Sequence, residues 1–157
     1  MADVTARATR RSHPAGGVMS APIADGVTVY EGMLVALEAG YANHWADGAN
    51  DVFAGVLLGG DDRANDGILL GETADSPVPE ARIDISGVTL MHLDILGTPT
   101  QAVVGDLVYC GTSNPADMTT NSSGRTHPIG WLSRFRSATD VDVTLFTPSE
   151  MLAQATA

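Results

Sequence analysis

Residues 31–60 read EGMLVALEAGYANHWADGANDVFAGVLLGG. Three apolar segments, near 33–38, 41–45 and 52–58, are separated by an Ala-Gly step and by the cluster ADGAND. Each segment is too short for a core helix. Each is bounded by residues that favour turns, which is the signature of antiparallel strands joined by tight connections. The same punctuation continues outward and predicts further strands near 27–30, 80–86, 88–94, 106–110, 128–136 and 140–146. Several of these alternate. In 80–86, Ile83 and Ile85 share one face while Arg82, Asp84 and Ser86 share the other. In 140–146, Val141, Val143 and Leu145 oppose Asp140, Asp142 and Thr144. Such strands bury one face each. Gly87, between ARIDIS and VTLMHLDI, marks a bulge or a tight bend joining two strands.

Helix is scarce. TPTQAVVGD at 98–106 holds one or two turns after Pro99, and PSEMLAQATA begins a short helix at Pro148. The segments GGDDRANDG (59–67) and GTSNPADMTTNSSGRT (111–126) are polar surface loops. No internal repeat is present. The chain divides into an extended basic N-terminal arm at 1–25, a β-domain at 26–147, and a C-terminal tail or short helix at 148–157.

The 157 residues suit a single domain. The net charge is -11, with 19 acids set against eight basic residues, all of them arginine. Arg7, Arg10 and Arg11 against Asp3 give residues 1–20 a balance of +2, so the remainder, with five arginines and eighteen acids, stands at -13. A body of that sign repels phosphate and anionic lipid headgroups, which argues against nucleic acid or a membrane as its partner. No apolar run approaches the roughly 20 residues needed to span a bilayer. The N-terminus also lacks the apolar centre of a secretory signal, so synthesis in the cytoplasm is expected. Cys110 is the only cysteine, and within VYCG it reads as a small buried hydrophobe.

The chemistry-bearing motifs are weak. Asp61, Asp62 and Asp66 suggest a calcium loop, but counting from Asp62 puts Ala64 and Thr73 where oxygen ligands belong. His13, His44, His92 and His127 have no zinc-like spacing. His92 and Asp94 on one strand face form the best metal or acid/base pair the sequence offers, but a side-chain hydrogen bond on a half-exposed strand explains them without further assumptions. No nucleophile turn and no phosphate-cradling glycine loop is present. These readings point to no enzyme, no cofactor and no metal. Among the aromatics, Trp131 and Phe135 fall on one face of IGWLSRFRS. Tyr41, Trp45 and Phe53 crowd one segment, either as anchors of an interface or as core.

The order of motifs carries more than any one of them. Gly32–Val35, Gly40–Tyr41, Ala46–Gly48, Phe53–Val56, Asp62–Gly67, Val104–Tyr109 and Gly130 through Val143 together resemble the capsid cement, or head decoration, proteins of tailed bacteriophages over about residues 26–147. Residues 72–80 (ETADSPVPE) depart from that pattern. The resemblance implies an all-β fold, a compact antiparallel β-barrel or β-tulip-like domain with little helix. It also implies a homotrimer without catalytic activity, seated on the outer surface of the virion at three-fold or quasi-three-fold positions of the major capsid protein lattice. The arm is then expected to lie on the major capsid protein, with Arg7, Arg10, Arg11, Pro14, Val18 and Ile23 as candidate contacts and Tyr41, Trp45 and Phe53 as candidates for a trimer or capsid interface. Two other readings share the composition: a structural β-domain of a phage tail, fibre or bacterial surface, and a metal-dependent carbohydrate-binding module using Asp61, Asp62 and Asp66.

Overall fold

The computed structural model describes residues 17–24, 26–60, 68–70 and 80–151. The chain is nearly all β. Its strands are β1 (Val18–Pro22), β2 (Thr28–Tyr30), β3 (Leu34–Glu38), β4 (Tyr41–His44), β5 (Val52–Gly60) and β6 (Ile68–Leu70). After these come β7 (Glu80–Asp84), β8 (Thr89–Leu93), β9 (Leu107–Cys110), β10 (Met118–Thr119), β11 (Gly130–Ser137) and β12 (Asp140–Leu145). There are two five-stranded antiparallel sheets, ordered β1-β7-β5-β3-β4 and β10-β9-β11-β12-β8, and a separate two-stranded β2-β6 sheet. Short 3₁₀ turns cover Gln101–Val103 and Pro115–Asp117. A helix begins at Pro148, closed reciprocally by Thr147 and Glu150: Glu150 N donates to Thr147 Oγ1 at 3.2 Å and Thr147 N to Glu150 Oε1 at 2.9 Å.

The first sheet curls. Ile23, just beyond β1, forms a parallel bridge to Ala42 on β4, and Ala24 N donates to Ala42 O at 3.0 Å. The two edges therefore meet at one end. Inside the curl lie Ala21, Ile23, Val29, Met33, Val35, Ala42, Ala54, Leu57, Ala81 and Ile83, all buried. A second core, between this sheet and the other, is built from Leu34, Ala36, Trp45, Phe53 and Val56 on one side and Val108, Leu132, Val141, Val143 and Leu145 on the other.

The strands β3 and β5 belong to both cores. In β3, Leu34 and Ala36 face the second core while Val35 faces the first, which is why MLVAL is an unbroken apolar run. In β5 the sharing needs a bulge. Ala36 pairs with Phe53 and Val35 with Gly55, so Ala54 is the extra residue. That insertion lets Phe53 and Val56, three apart, face the same core while Ala54 and Leu57 face the other. A bulge in β11, between Leu132 and Arg134, has the same effect on Leu132 and Phe135. Phe135 consequently packs against the core while Trp131 lies outside it, 37% exposed, so the two do not share a face.

The apolar face expected in β7 and β12 is present, with Ile83, Val141, Val143 and Leu145 buried, but the other face of β12 is not open throughout, because Asp142 is buried as well. The bend at Gly87 joins β7 to β8, which lie in different sheets. Three strands were not legible: β6, β10 within the 111–126 loop, and β1. The first of the described residues, Gly17, already accepts from Ile85 N at 2.9 Å. Residues 18–22 pair with β7 throughout their length. Residues 18–22, read as part of the arm, are thus a strand of the first sheet, and Ala21 and Ile23 help fill its curl. Arg7, Arg10, Arg11, Pro14 and the acidic segment Asp61, Asp62, Asp66 lie outside the described residues.

Gly55 is the tightest point of the double-sided wall. Its φ is 152°, and a Cβ there would collide with the Asp84 carbonyl oxygen on β7. Replacing Gly55 with Ala should cost upwards of about 3 kcal/mol, since both the backbone conformation and the β5-β7 ladder would have to yield. Urea denaturation of the full chain measures it; a loss below about 1 kcal/mol, typical of a tolerant surface site, would show that the wall can relax.

Candidate interaction surface

The residues nominated as interface anchors separate on burial. Trp45 and Phe53 are fully buried and pack edge-on with ring centroids 5.4 Å apart. They are core residues, whose truncation costs about 3–5 kcal/mol of folding energy in typical proteins. Tyr41 is 46% exposed at the start of β4. Val18, on β1, is 38% exposed, whereas Ile23 is completely buried. Ile23 therefore cannot contact a partner while the curled sheet is intact. Its burial follows from the bridge to Ala42, a long-range pairing that no local pattern encodes.

The outer face of the second sheet presents a different set. Trp131 pairs across the sheet with Leu107 on β9 and Thr144 on β12, and Thr144 pairs with Thr89 on β8. In-register neighbours project to the same side, so Trp131 stands in a row running Leu107, Trp131, Thr144, Thr89. The two threonine hydroxyls are 2.8 Å apart. Next to this row, Arg134 is opposite Asp142 and exposed. Trp and Arg are the residue types most often found at energetic centres of protein interfaces.

Beside Arg134 lies a charged cluster. The Arg136 guanidinium grips Asp142 through two bonds, Nη1 to Oδ1 at 2.5 Å and Nη2 to Oδ2 at 2.9 Å, and reaches Asp140 Oδ1 at 3.2 Å. The backbone N–H of His92 adds a bond to Asp142 Oδ1 at 3.1 Å. The Arg136 fork, assisted by that amide, holds the Asp142 carboxyl below the usual carboxylate range. It also pushes the guanidinium up. The amide is available because β8 bulges: Val141 pairs with Leu93 and Val143 with Leu90, leaving Met91 and His92 opposite Asp142 alone. His92 takes φ 58° there. Its ring consequently turns to Asp140, 3.1 Å from Nδ1, so the expected His92–Asp94 pair is replaced by one with Asp140.

Along the seam between the layers, Trp45 Nε1 donates to Cys110 O at 2.7 Å. The Asp47 carboxylate accepts from Thr126 N at 2.8 Å, His127 N at 2.9 Å and His127 Nδ1 at 2.8 Å. The His127 ring lies edge-on to Trp45 at 6.0 Å. His44 Nδ1 is 2.8 Å from Ser113 Oγ, and its Nε2 is 2.5 Å from Thr28 O. The thiol of Cys110 is buried, and burial pushes it up, away from the reactive thiolate. Among the described residues, no group of three or more His, Cys, Asp or Glu side chains is placed to hold a metal ion, and no helix is long and apolar enough to cross a membrane.

Asp142 gives the outer face a titration signature. A carboxyl depressed in the folded state contributes stability in full above its unfolded pKa, about 3.9, and that contribution disappears as pH falls through the folded value. Asp142→Asn should therefore be less stable than the parent chain near pH 7, with the gap closing below about pH 4. Thermal melts of both proteins between about pH 2.5 and 7 measure it, and a gap that stays constant would show that Arg136 contributes nothing specific to the ionised form.

No family model, curated protein or solved structure matches this chain, so its role has to be read from its own residues and their arrangement.

Proposed function

We propose that this chain is a capsid decoration protein: a structural β-domain that binds the outside of a tailed-phage head and stabilises the lattice of the major capsid protein. The observation that carries this reading is the anchorage of its basic arm. Residues 1–16 contain Arg7, Arg10 and Arg11 and continue directly into β1, an edge strand paired over all five residues with β7. The remaining residues carry five arginines against eighteen acids, a balance of -13. A basic segment tethered to an acidic body suits a carboxylate-bearing protein surface better than nucleic acid, which the body would repel. The sequence resemblance over residues 26–147 supports the same reading.

In this mechanism Arg7, Arg10 and Arg11 pair with carboxylates of the capsid protein, and the backbone of the arm adds a strand to an exposed sheet edge. Pro14 cannot donate to such a ladder and marks a bend or an end. Each arm binds weakly. A trimer presents three, and once the first is seated the others bind intramolecularly at an effective concentration of roughly millimolar order. Because the ligand prefers assembled shell to free subunits, it stabilises the shell by mass action. The acidic surface then faces solvent and discourages aggregation of particles.

The position of β1, Val18–Pro22, defines the truncation that tests this. Deleting residues 2–16 should leave the thermal melt of the domain within a few degrees of the parent while abolishing occupancy on expanded empty heads, measured by co-sedimentation. Deleting 2–22 should also unfold the domain, since it removes β1. Undiminished occupancy after the shorter deletion would overturn the arm mechanism, and a copy number far from that of the major capsid protein would overturn the assignment itself.

A further inference from the structure

His44 and Ser113 are 69 residues apart in sequence, yet their side chains meet at 2.8 Å through Nδ1 and Oγ. The other ring nitrogen fixes the proton. His44 Nε2 lies 2.5 Å from the Thr28 carbonyl oxygen, and a carbonyl can only accept, so Nε2 carries the hydrogen. In the neutral ring Nδ1 is then a bare lone pair aimed at the Ser113 hydroxyl. A nucleophile, a base, and a third group that holds the base in the required tautomer are all in place.

The serine is held as firmly as the histidine. Ser113 O accepts from Leu34 N at 2.8 Å, tying the loop to β3. Cys110 Sγ donates to Thr112 O at 3.1 Å and Asn114 O at 3.4 Å, on either side of Ser113. Asn114 Oδ1 accepts from Ala116 N at 3.0 Å. Ser113 lines a surface groove of about 250 Å³, whose walls also include Tyr30, Met33 and Pro115. Met33 is steadied by the Tyr30 N–H, 3.3 Å from its sulfur. Much of the lining is apolar, while Glu31, also in the lining, disfavours an anion. The His44 ring lies edge-on to that of Tyr30, a wall residue, with centroids 6.4 Å apart.

We propose that Ser113 is a nucleophilic modification site that takes an acyl group from a small uncharged ester, with His44 as its base. In the step, Ser113 Oγ forms a bond to the acyl carbon and the ester's carbon–oxygen bond breaks. The Ser113 proton passes to His44 Nδ1 and from there to the departing oxygen. The product is one acyl-serine per chain. The site is formed by β2, β4 and the β9–β10 loop, so the inference does not rest on the decoration reading and survives its failure.

Native full-length protein incubated with 4-nitrophenyl butyrate tests it, read by intact mass and peptide mapping. Ser113 should be acylated at least about 100-fold faster than the exposed hydroxyls of Ser122 and Ser123 in the same molecule, the lower range for a positioned general base. Ser113→Ala should remove that label, and His44→Gln should slow it by a similar factor. The comparison with Ser122 and Ser123 needs no variant and stands even where His44→Gln fails to fold. Butyrylation spread evenly over surface hydroxyls, or retained on His44 in the Ser113→Ala protein, would overturn the proposal.

Discussion

The fold depends on a pair of strands whose central residues are buried on both faces. Strands β3 and β5 contribute to the core inside the curled sheet and to the core between sheets, so each must present apolar side chains both ways. The rest of the molecule is arranged to cover them. Strands β1 and β7 close the curl, β9, β11 and β12 cover the opposite face, and polar groups of the seam are satisfied across it by Trp45, Asp47 and His44. Doubling the use of two strands gives a chain of this size two cores without a long helix, in keeping with the need to bury a large fraction of its apolar surface.

Much of this was legible. Strands with one buried face announce themselves by alternation, and β7 and β12 fall where their patterns place them. The bend at Gly87 was also visible, although nothing local distinguishes a bend within a sheet from a crossing between sheets. What remained hidden has common causes. Bulges break the period of two: neither the joint burial of Phe53 and Val56 nor the divergence of Trp131 and Phe135 can be read from spacing. Strand β1, VMSAP, mixes apolar with small residues and gains its structure from β7, 58 to 66 residues downstream. Strand β10 has only two residues and β6 three, too few to show a period.

The sites were less legible than the fold, for a related reason. The partners His44 and Ser113, Asp47 and His127, and His92 and Asp140 are each separated by 48 or more positions. Sequence spacing reports neighbours on one element, and here every notable polar contact of a histidine crosses between elements. His92 illustrates the failure: Asp94 was the obvious partner on its own strand, but the bulge turned the ring toward Asp140. The burial of Cys110 was legible because its flanking residues alternate within one strand.

The bridge between Ile23 and Ala42 has a mechanical consequence. A tether that ended in a loop would transmit load to the domain one hydrogen bond at a time. A load on the residues that precede Val18 enters β1, whose far end carries Ile23 into the interior. Tension along the strand loads the whole ladder with β7 in shear, and slippage must drag an isoleucine through the wall of the curl. Tension across the strand peels the ladder from Val18 inward. The same strand is therefore stiff in one direction and weak in the other, so a load applied along β1 meets the domain on its strongest axis.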